Sequence, residues 1–382
     1  MSLTLVGVST GDPRSVTTQS GVVAGVFDAL ERLEVRVVRV DASVGGLRKV
    51  VCTASCPSLS RDAWRHRLHR GSCATSARTG ILKRQLVNVP RIDAVLLVRN
   101  TYRPLDQPYM PFLDTTLTLV RREWPPHVPW TARTLQRLIE TERVYLRAAM
   151  HIFVVGERVA QSVADYGIPS SRFTVVGGGA NWPVADTTEV GRSDPIALLV
   201  GRDFERKGGA LLLEAFESAR AEIPDARLRI VGDAPSHVPA GVEVLGNITD
   251  RDRLRSVYRS ARVCVLPARF EPYGLVLTEA MSQGVPCVGT DVGAIGEIIE
   301  DGTTGAIIAS GDVEGLTRAL SRYLGDVSLA ERHGEAARQR VATQLTWDHV
   351  AQRIVASATR ALNIPDARTT LHSRTGSSRT HV

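Results

Sequence analysis

The chain has 382 residues, 43% hydrophobic and 23% charged, a balance typical of soluble globular proteins that excludes wholesale disorder and collagen-like repeats. At ~150 residues per domain this length implies two or three domains with sizeable cores. Net charge is +7, from 47 basic and 40 acidic residues, and lysine occurs only at 49, 83 and 207 against 44 arginines. The longest apolar runs, 152–155, 196–200 and 211–213, fall far short of the ~20 residues of a membrane span. The stretch Met1-Ser2-Leu3-Thr4-Leu5-Val6 has no basic head, so it reads as a first strand and not as a signal peptide. Five cysteines without regular spacing argue against a disulfide framework and for a reducing cytoplasm.

Along the chain, residues 3–9 read as a strand, 22–33 as an amphipathic helix and 35–40 as a strand with alternating arginines. Residues 58–90 are polar, Arg-rich and helical in parts. Strands follow at 93–98, 151–155 and 172–176, with a long helix at 129–149 and a turn at Gly177-Gly178-Gly179. The stretch 181–195 has two prolines and no periodicity, and reads as a linker. Beyond it, short apolar strands at 196–200, 226–231, 263–266 and 287–289 alternate with helices at 209–223, 252–261 and 275–283. Alternation of this kind means parallel sheets with crossover helices. Two such runs around one linker mean two doubly wound domains, with ligands expected at the carboxyl ends of the strands.

The segment Arg269-Phe270-Glu271-Pro272-Tyr273-Gly274-Leu275-Val276-Leu277-Thr278-Glu279-Ala280-Met281 follows a buried strand and opens a helix. Its two carboxylates stand eight positions apart. The Gly274 and Leu275 amides lie at the helix start, where free N–H groups and the macrodipole attract anions. Glycine there lets a phosphate approach the backbone. The plainer alternative is a capped helix with solvent-facing glutamates.

This segment resembles the Glu, seven residues, Glu signature of the retaining glycosyltransferases of family 4. Other stretches are similar in the family's order: Gly201-Arg202-Asp203-Phe204-Glu205-Arg206-Lys207-Gly208, then Leu228-Arg229-Ile230-Val231-Gly232-Asp233, then Val244-Leu245-Gly246 as a base-side loop, then Gly284-Val285-Pro286 and Gly293-Ala294-Ile295-Gly296-Glu297. The resemblance implies an α/β protein of the GT-B fold, two doubly wound Rossmann-like domains facing a central cleft. In these terms residues 1–182 form an acceptor-side domain, 183–195 a linker, 196–345 the nucleotide-sugar-binding domain, 346–362 a helix packing back on the first domain and 363–382 a disordered tail. Thr346-Trp347-Asp348-His349-Val350 is expected to start that helix.

The same resemblance assigns Glu271 to the donor's sugar hydroxyls and Glu279 to its ribose. Arg202 and Lys207 then face the diphosphate with the Gly274 and Leu275 amides. A departing nucleoside diphosphate needs such charge stabilisation, and with it no metal and no cofactor is expected. In a chain so poor in lysine, Lys207 suggests that a compact ammonium is wanted. In the first half, Gln19-Ser20-Gly21 stands where the family has a Gly-rich loop, which makes Gly21 a candidate binding residue. Asp114, in Leu113-Asp114-Thr115-Thr116, stands near the family's first-domain histidine.

The implied activity is transfer of a glycosyl unit from a nucleotide-sugar to the hydroxyl of a glycan, lipid-linked or small-molecule acceptor, with retention. Two alternatives stay open: an epimerase-like enzyme acting on the nucleotide-sugar itself, and a non-catalytic sugar-nucleotide-binding subunit of a glycosylation complex. Ten basic residues between Arg61 and Arg103, against Asp62 and Asp93, suggest either an Arg-biased solvated surface or an anionic partner. That partner is a lipid headgroup, with peripheral contact at the inner membrane face, or a phosphorylated acceptor. Nucleic acid is disfavoured because aromatics are 5% and do not interleave with the cluster. Gly7-Val8-Ser9-Thr10-Gly11 matches the hydrolase elbow pattern, but Asp12-Pro13 breaks the helix that must follow. Cys52, Cys56, His66, His69 and Cys73 match no strong zinc spacing.

Overall fold

Nearly every apolar run becomes a strand of one of two parallel sheets. The computed structural model describes residues 3–55, 70–99, 102–125, 130–186 and 194–364. Three of the clustered arginines (61, 65 and 67), Cys56, His66, His69, most of the expected linker and the expected tail from 365 onward lie outside the described residues. The chain divides into two compact units. Unit 1 takes the described residues within Met1–Val154, Ala160–Val176 and Val350–Val382, and unit 2 takes Val155–Val159 and those within Gly177–His349.

From the start of the chain to residue 176 the elements are β1 (Thr4–Ser9), α1 (Val22–Arg32), β2 (Arg36–Asp41), α2 (Gly46–Ala54), α3 (Ser72–Leu86), β3 (Ala94–Val98), β4 (Tyr109–Leu113), α4 (Leu117–Glu123), α5 (Ala132–Ala148), β5 (Ile152–Val154), α6 (Glu157–Ala164) and β6 (Phe173–Val175). The sheet runs β2-β1-β3-β4-β5-β6, and each neighbouring pair is parallel. Strands covered by helices on both faces must be apolar throughout, and β1, β3 and β4 are buried along their whole length. Each fully buried Val or Leu in them, such as Val6, Val8, Leu96 and Leu97, contributes about 1.5–3 kcal/mol.

Unit 2 carries β7 (Ile196–Gly201), α7 (Gly209–Glu222), β8 (Arg227–Gly232), β9 (Val242–Gly246), α8 (Arg251–Ser260), β10 (Val263–Leu266), α9 (Leu275–Ser282), β11 (Cys287–Thr290), α10 (Ile295–Ile298), β12 (Gly305–Ile308), α11 (Val313–Gly325) and α12 (Val327–Gln344). Its sheet runs β12-β11-β10-β7-β8-β9. Taking β7 as the unit's first strand, this is the Rossmann order 3-2-1-4-5-6, whose switch point lies between the first and fourth strands. Here those are β7 and β10, hydrogen-bonded neighbours in the sheet. Val244-Leu245-Gly246, expected as a loop, is instead the end of the edge strand β9, paired with β8 from Leu228↔Val242 onward.

The last helix, α13 (Trp347–Ala361), starts in unit 2 and continues in unit 1. Within unit 1, Arg353 donates to Val176 O at 3.1 Å and Ser357 Oγ lies 3.1 Å from Thr174 Oγ1. Within unit 2, Trp347 Nε1 donates to Asn181 Oδ1 at 3.2 Å. Residues 181–186 are also tied into unit 2: Ala185 N donates to Ser282 O, and the Trp182 ring meets Tyr258 edge-on.

Candidate active site

Two loops at the switch point bring the signature residues together. The first leaves β7 at Gly201 and runs to α7. The second leaves β10 and ends at Gly274, the left-handed N-cap of α9 (φ 107°). The first is braced from the end of β8 and from within: Asp203 N donates to Asp233 Oδ2 at 2.8 Å, and Lys207 N donates to Asp203 O. A bond from Arg269 N to Arg206 O at 2.9 Å ties the two loops together. Close approach explains two of the glycines. A Cβ on Gly201 would lie 2.2 Å from Lys207 Cε, and one on Gly293 would lie 1.7 Å from Glu271 O. Glycine at 201 therefore leaves room for the lysine stem, and glycine at 293 for the signature backbone.

Glu271 sits where the loops meet. Its Oε2 accepts from Lys207 Nζ at 3.0 Å and from Arg206 Nη1 at 3.1 Å, and its side chain is 13% exposed. Burial pushes the Glu271 carboxyl up, but the Lys207 and Arg206 charges outweigh it and hold the group below its ordinary value. Paired cations within hydrogen-bond reach have this effect on a carboxylate. Beside it, α9 starts with no side chain capping its first amides, which leaves the Gly274 end of the helix suited to an anion.

Glu279, on the second turn of α9, occupies a different environment. Its Oε1 accepts from Asn181 Nδ2 at 2.8 Å and its Oε2 from Tyr258 Oη at 3.0 Å. Arg251 donates to Asn181 O at 3.1 Å and stacks 5.0 Å over the Trp182 ring. Burial pushes the Glu279 carboxyl up, and the hydrogen bonds and the Arg251 and Lys207 charges offset only part of that rise. The two signature carboxylates are therefore tuned in opposite directions, one held ionised by cations and one nearer to protonation.

Of the expected residues, Glu271, Glu279, Lys207, Gly274 and Leu275 fall in unit 2 around these loops. Arg202 is in the same loop and exposed, its side chain making no hydrogen bond or ion pair to any described residue, while Arg206 lies beside Glu271. Gly21 and Asp114 fall in unit 1. Gly21 caps α1 in a left-handed conformation (φ 85°), preceded by left-handed Gln19 and Ser20. Asp114 is half-buried just past the carboxyl end of β4. Sequence reasoning passed over Arg206, Asn181 and Tyr258.

The basic cluster is dispersed where it is described. Arg78 is buried, Arg70 lies 3.6 Å from Glu142, Lys83 pairs with Asp106 and Arg91 with Asp93. Arg103 donates to Ser72 and Ser76. Among the described residues no helix is long and apolar enough to cross a membrane.

The fold is that of GT-B glycosyltransferases. The chain superposes on sucrose-phosphate synthase from Thermosynechococcus elongatus with a TM-score of 0.71 at 19% identity, covering 95% of this chain and 100% of that one. It also superposes on Anabaena HepE, solved in complex with UDP and glucose, with a TM-score of 0.66 at 14% identity, covering 94% and 100%. Residues 186–340, about two-fifths of the chain, match the family model for group 1 glycosyl transferases. Glycogen synthase from Mycobacterium tuberculosis is 30% identical over 242 residues, which are 59% of this chain and 58% of that protein. The chain thus spans about three-fifths of the length of that curated relative.

Proposed function

We propose that the chain is a retaining glycosyltransferase that moves a sugar from a nucleotide-sugar donor to an acceptor hydroxyl. The observation that carries this reading is Glu271 held by Lys207 and Arg206 beside the uncapped start of α9, at the switch point of a Rossmann-ordered sheet. Cations and helix-end amides stabilise the charge that grows on a departing diphosphate, so this chemistry proceeds without a metal. Glu271 then orients the transferred sugar, and Glu279 with Asn181 and Tyr258 receives the ribose. Gly21 and Asp114 serve the acceptor side in unit 1.

The acceptor we favour is lipid-linked. Helix α2 exposes Leu47, Val50 and Val51 at 78%, 61% and 56%, spaced so that they share one face. Arg48 borders that face, and Lys49 lies on the opposite side of the helix. An exposed apolar stripe bordered by a cation fits an anionic membrane surface.

A thermal-shift screen of UDP-, ADP- and GDP-sugars tests the donor assignment, because a bound ligand raises stability by mass action. Slow release of nucleoside diphosphate from the donor that binds, unaffected by a chelator, is the expected second result. Tight binding without any such release would overturn catalysis in favour of a binding subunit. An inverted anomeric configuration in the product would overturn retention.

A further inference from the structure

Lys207 and Arg206 share one oxygen of Glu271 but are anchored very differently. Arg206 is fixed from several sides. Its Nη1 donates to Phe270 O at 2.7 Å as well as to Glu271, and its Nε donates to Asp203 Oδ2 at 3.2 Å. Its own amide and carbonyl are bonded to Asp203 and Arg269. Among the described residues, the ammonium of Lys207 is held only by Glu271, at the end of a four-carbon stem with three rotatable donors.

We propose that Arg206 is a positioning residue that keeps Glu271 charged and in place when Lys207 leaves it for the donor's diphosphate. The inference rests on the glycosyltransferase reading given above. In the free protein Glu271 and Asp203 are balanced by Arg206 and Lys207. An anion arriving at the start of α9 draws Lys207 away, and Arg206 then remains as the cation bonded to Glu271. Without Arg206 the departure of Lys207 would strand a buried carboxylate with no cation, and burial drives such a group to take up a proton. A protonated, unanchored Glu271 cannot orient a sugar in the same way.

The charged groups concerned are few. Glu271 faces Lys207 and Arg206. Lys207 also acts on Glu279 from α9. Asp203 faces Arg206, and Asp233 holds the Asp203 amide.

The test is calorimetric titration of the full chain with UDP, ADP and GDP, in pairs of buffers of different ionisation enthalpy, combined with steady-state donor hydrolysis. The wild type should bind one of them without net proton exchange. Arg206→Ala should bind with uptake approaching one proton, so that its affinity weakens by up to about tenfold per pH unit, as linkage requires. Its kcat should fall at least ~10-fold with a smaller change in KM, the pattern of an interaction used in the transition state. Arg206→Lys, which keeps a cation but not the fork, should suppress the uptake and recover part of kcat.

Proton-neutral binding and unchanged kcat in Arg206→Ala would overturn the inference even if its melting temperature fell, since that is all a structural role predicts. Proton uptake by the wild type would overturn it as well. A wild type that binds none of the three would overturn the glycosyltransferase reading itself, and the inference with it.

Discussion

Glu271 and Glu279 lie on one short segment yet are tuned in opposite directions, so their loss should have opposite signatures. Glu271 is held below its ordinary pKa by Lys207 and Arg206. A carboxyl of this kind contributes stability above its unfolded-state pKa, and that stability is lost as pH falls through its folded-state value. Glu271→Gln should therefore lower stability at pH 7 by about 2 kcal/mol, the order of a charged hydrogen bond, and the loss should shrink in acid. Glu279 is raised by burial, so its charge costs stability at neutral pH and costs nothing below its unfolded-state pKa. Glu279→Gln should leave the melting temperature at pH 7 unchanged or higher. Scanning calorimetry from pH 3 to 8 distinguishes the two, and parallel profiles would refute the assignment.

Kinetics separates the same residues. Glu271→Ala and Lys207→Ala should each reduce kcat by ~100-fold or more, as removal of a preorganised electrostatic group does. Glu279→Ala, which alters the residue proposed to receive the unreactive ribose, should act mainly on KM. Near-normal kcat in the first two variants would falsify the assigned site and leave only the fold.

At the scale of elements, the start of α13 supports Glu279 through Asn181. Trp347 is 6% exposed and donates to Asn181, which in turn donates to Glu279. Trp347→Ala should cost about 3–5 kcal/mol, as large aromatic truncations do, and should raise donor KM beyond that of equally destabilised controls elsewhere in unit 2. Helix α2 makes a separate prediction. Replacing Leu47, Val50 and Val51 by Ser should abolish co-sedimentation with anionic liposomes while leaving the melting temperature unchanged, since these side chains are exposed. Co-sedimentation that ignores lipid charge, salt and these substitutions would remove the membrane from the proposal.

These elements also show what a sequence can and cannot disclose. Strands β1, β3, β7 and β10 are continuous apolar runs because both of their faces are buried, and they were legible. Strand β4 carries Pro111 in its centre, which ordinarily argues against a central strand. Strand β9 lies at the sheet edge and none of its residues is fully buried, so it passed for a loop. The site was legible through Glu271, Glu279 and Lys207. Arg206 was not, because one more arginine among 44 carries no signal. Asn181 and Tyr258 stand 98 and 21 positions from Glu279, and only the fold brings them to it.

For the whole molecule, the order in which the chain visits its units has a mechanical consequence. The chain enters unit 2 briefly at Val155–Val159, passes into it for good after Val176 and returns to unit 1 after His349, so residues 3 and 364 both belong to unit 1. Tension applied between those two positions is carried first by unit 1, including the bonds of α13 to Thr174 and Val176. Unit 2 feels the load only when α13 has peeled away. Optical-tweezer traces with handles at those positions should therefore show two ruptures in a fixed order. The nucleoside diphosphate that binds should strengthen the second rupture and leave the first unmoved, because the signature loops lie wholly within unit 2. A single rupture, or a ligand effect on the first event, would mean that the inserted unit is not shielded by the one that surrounds it in sequence.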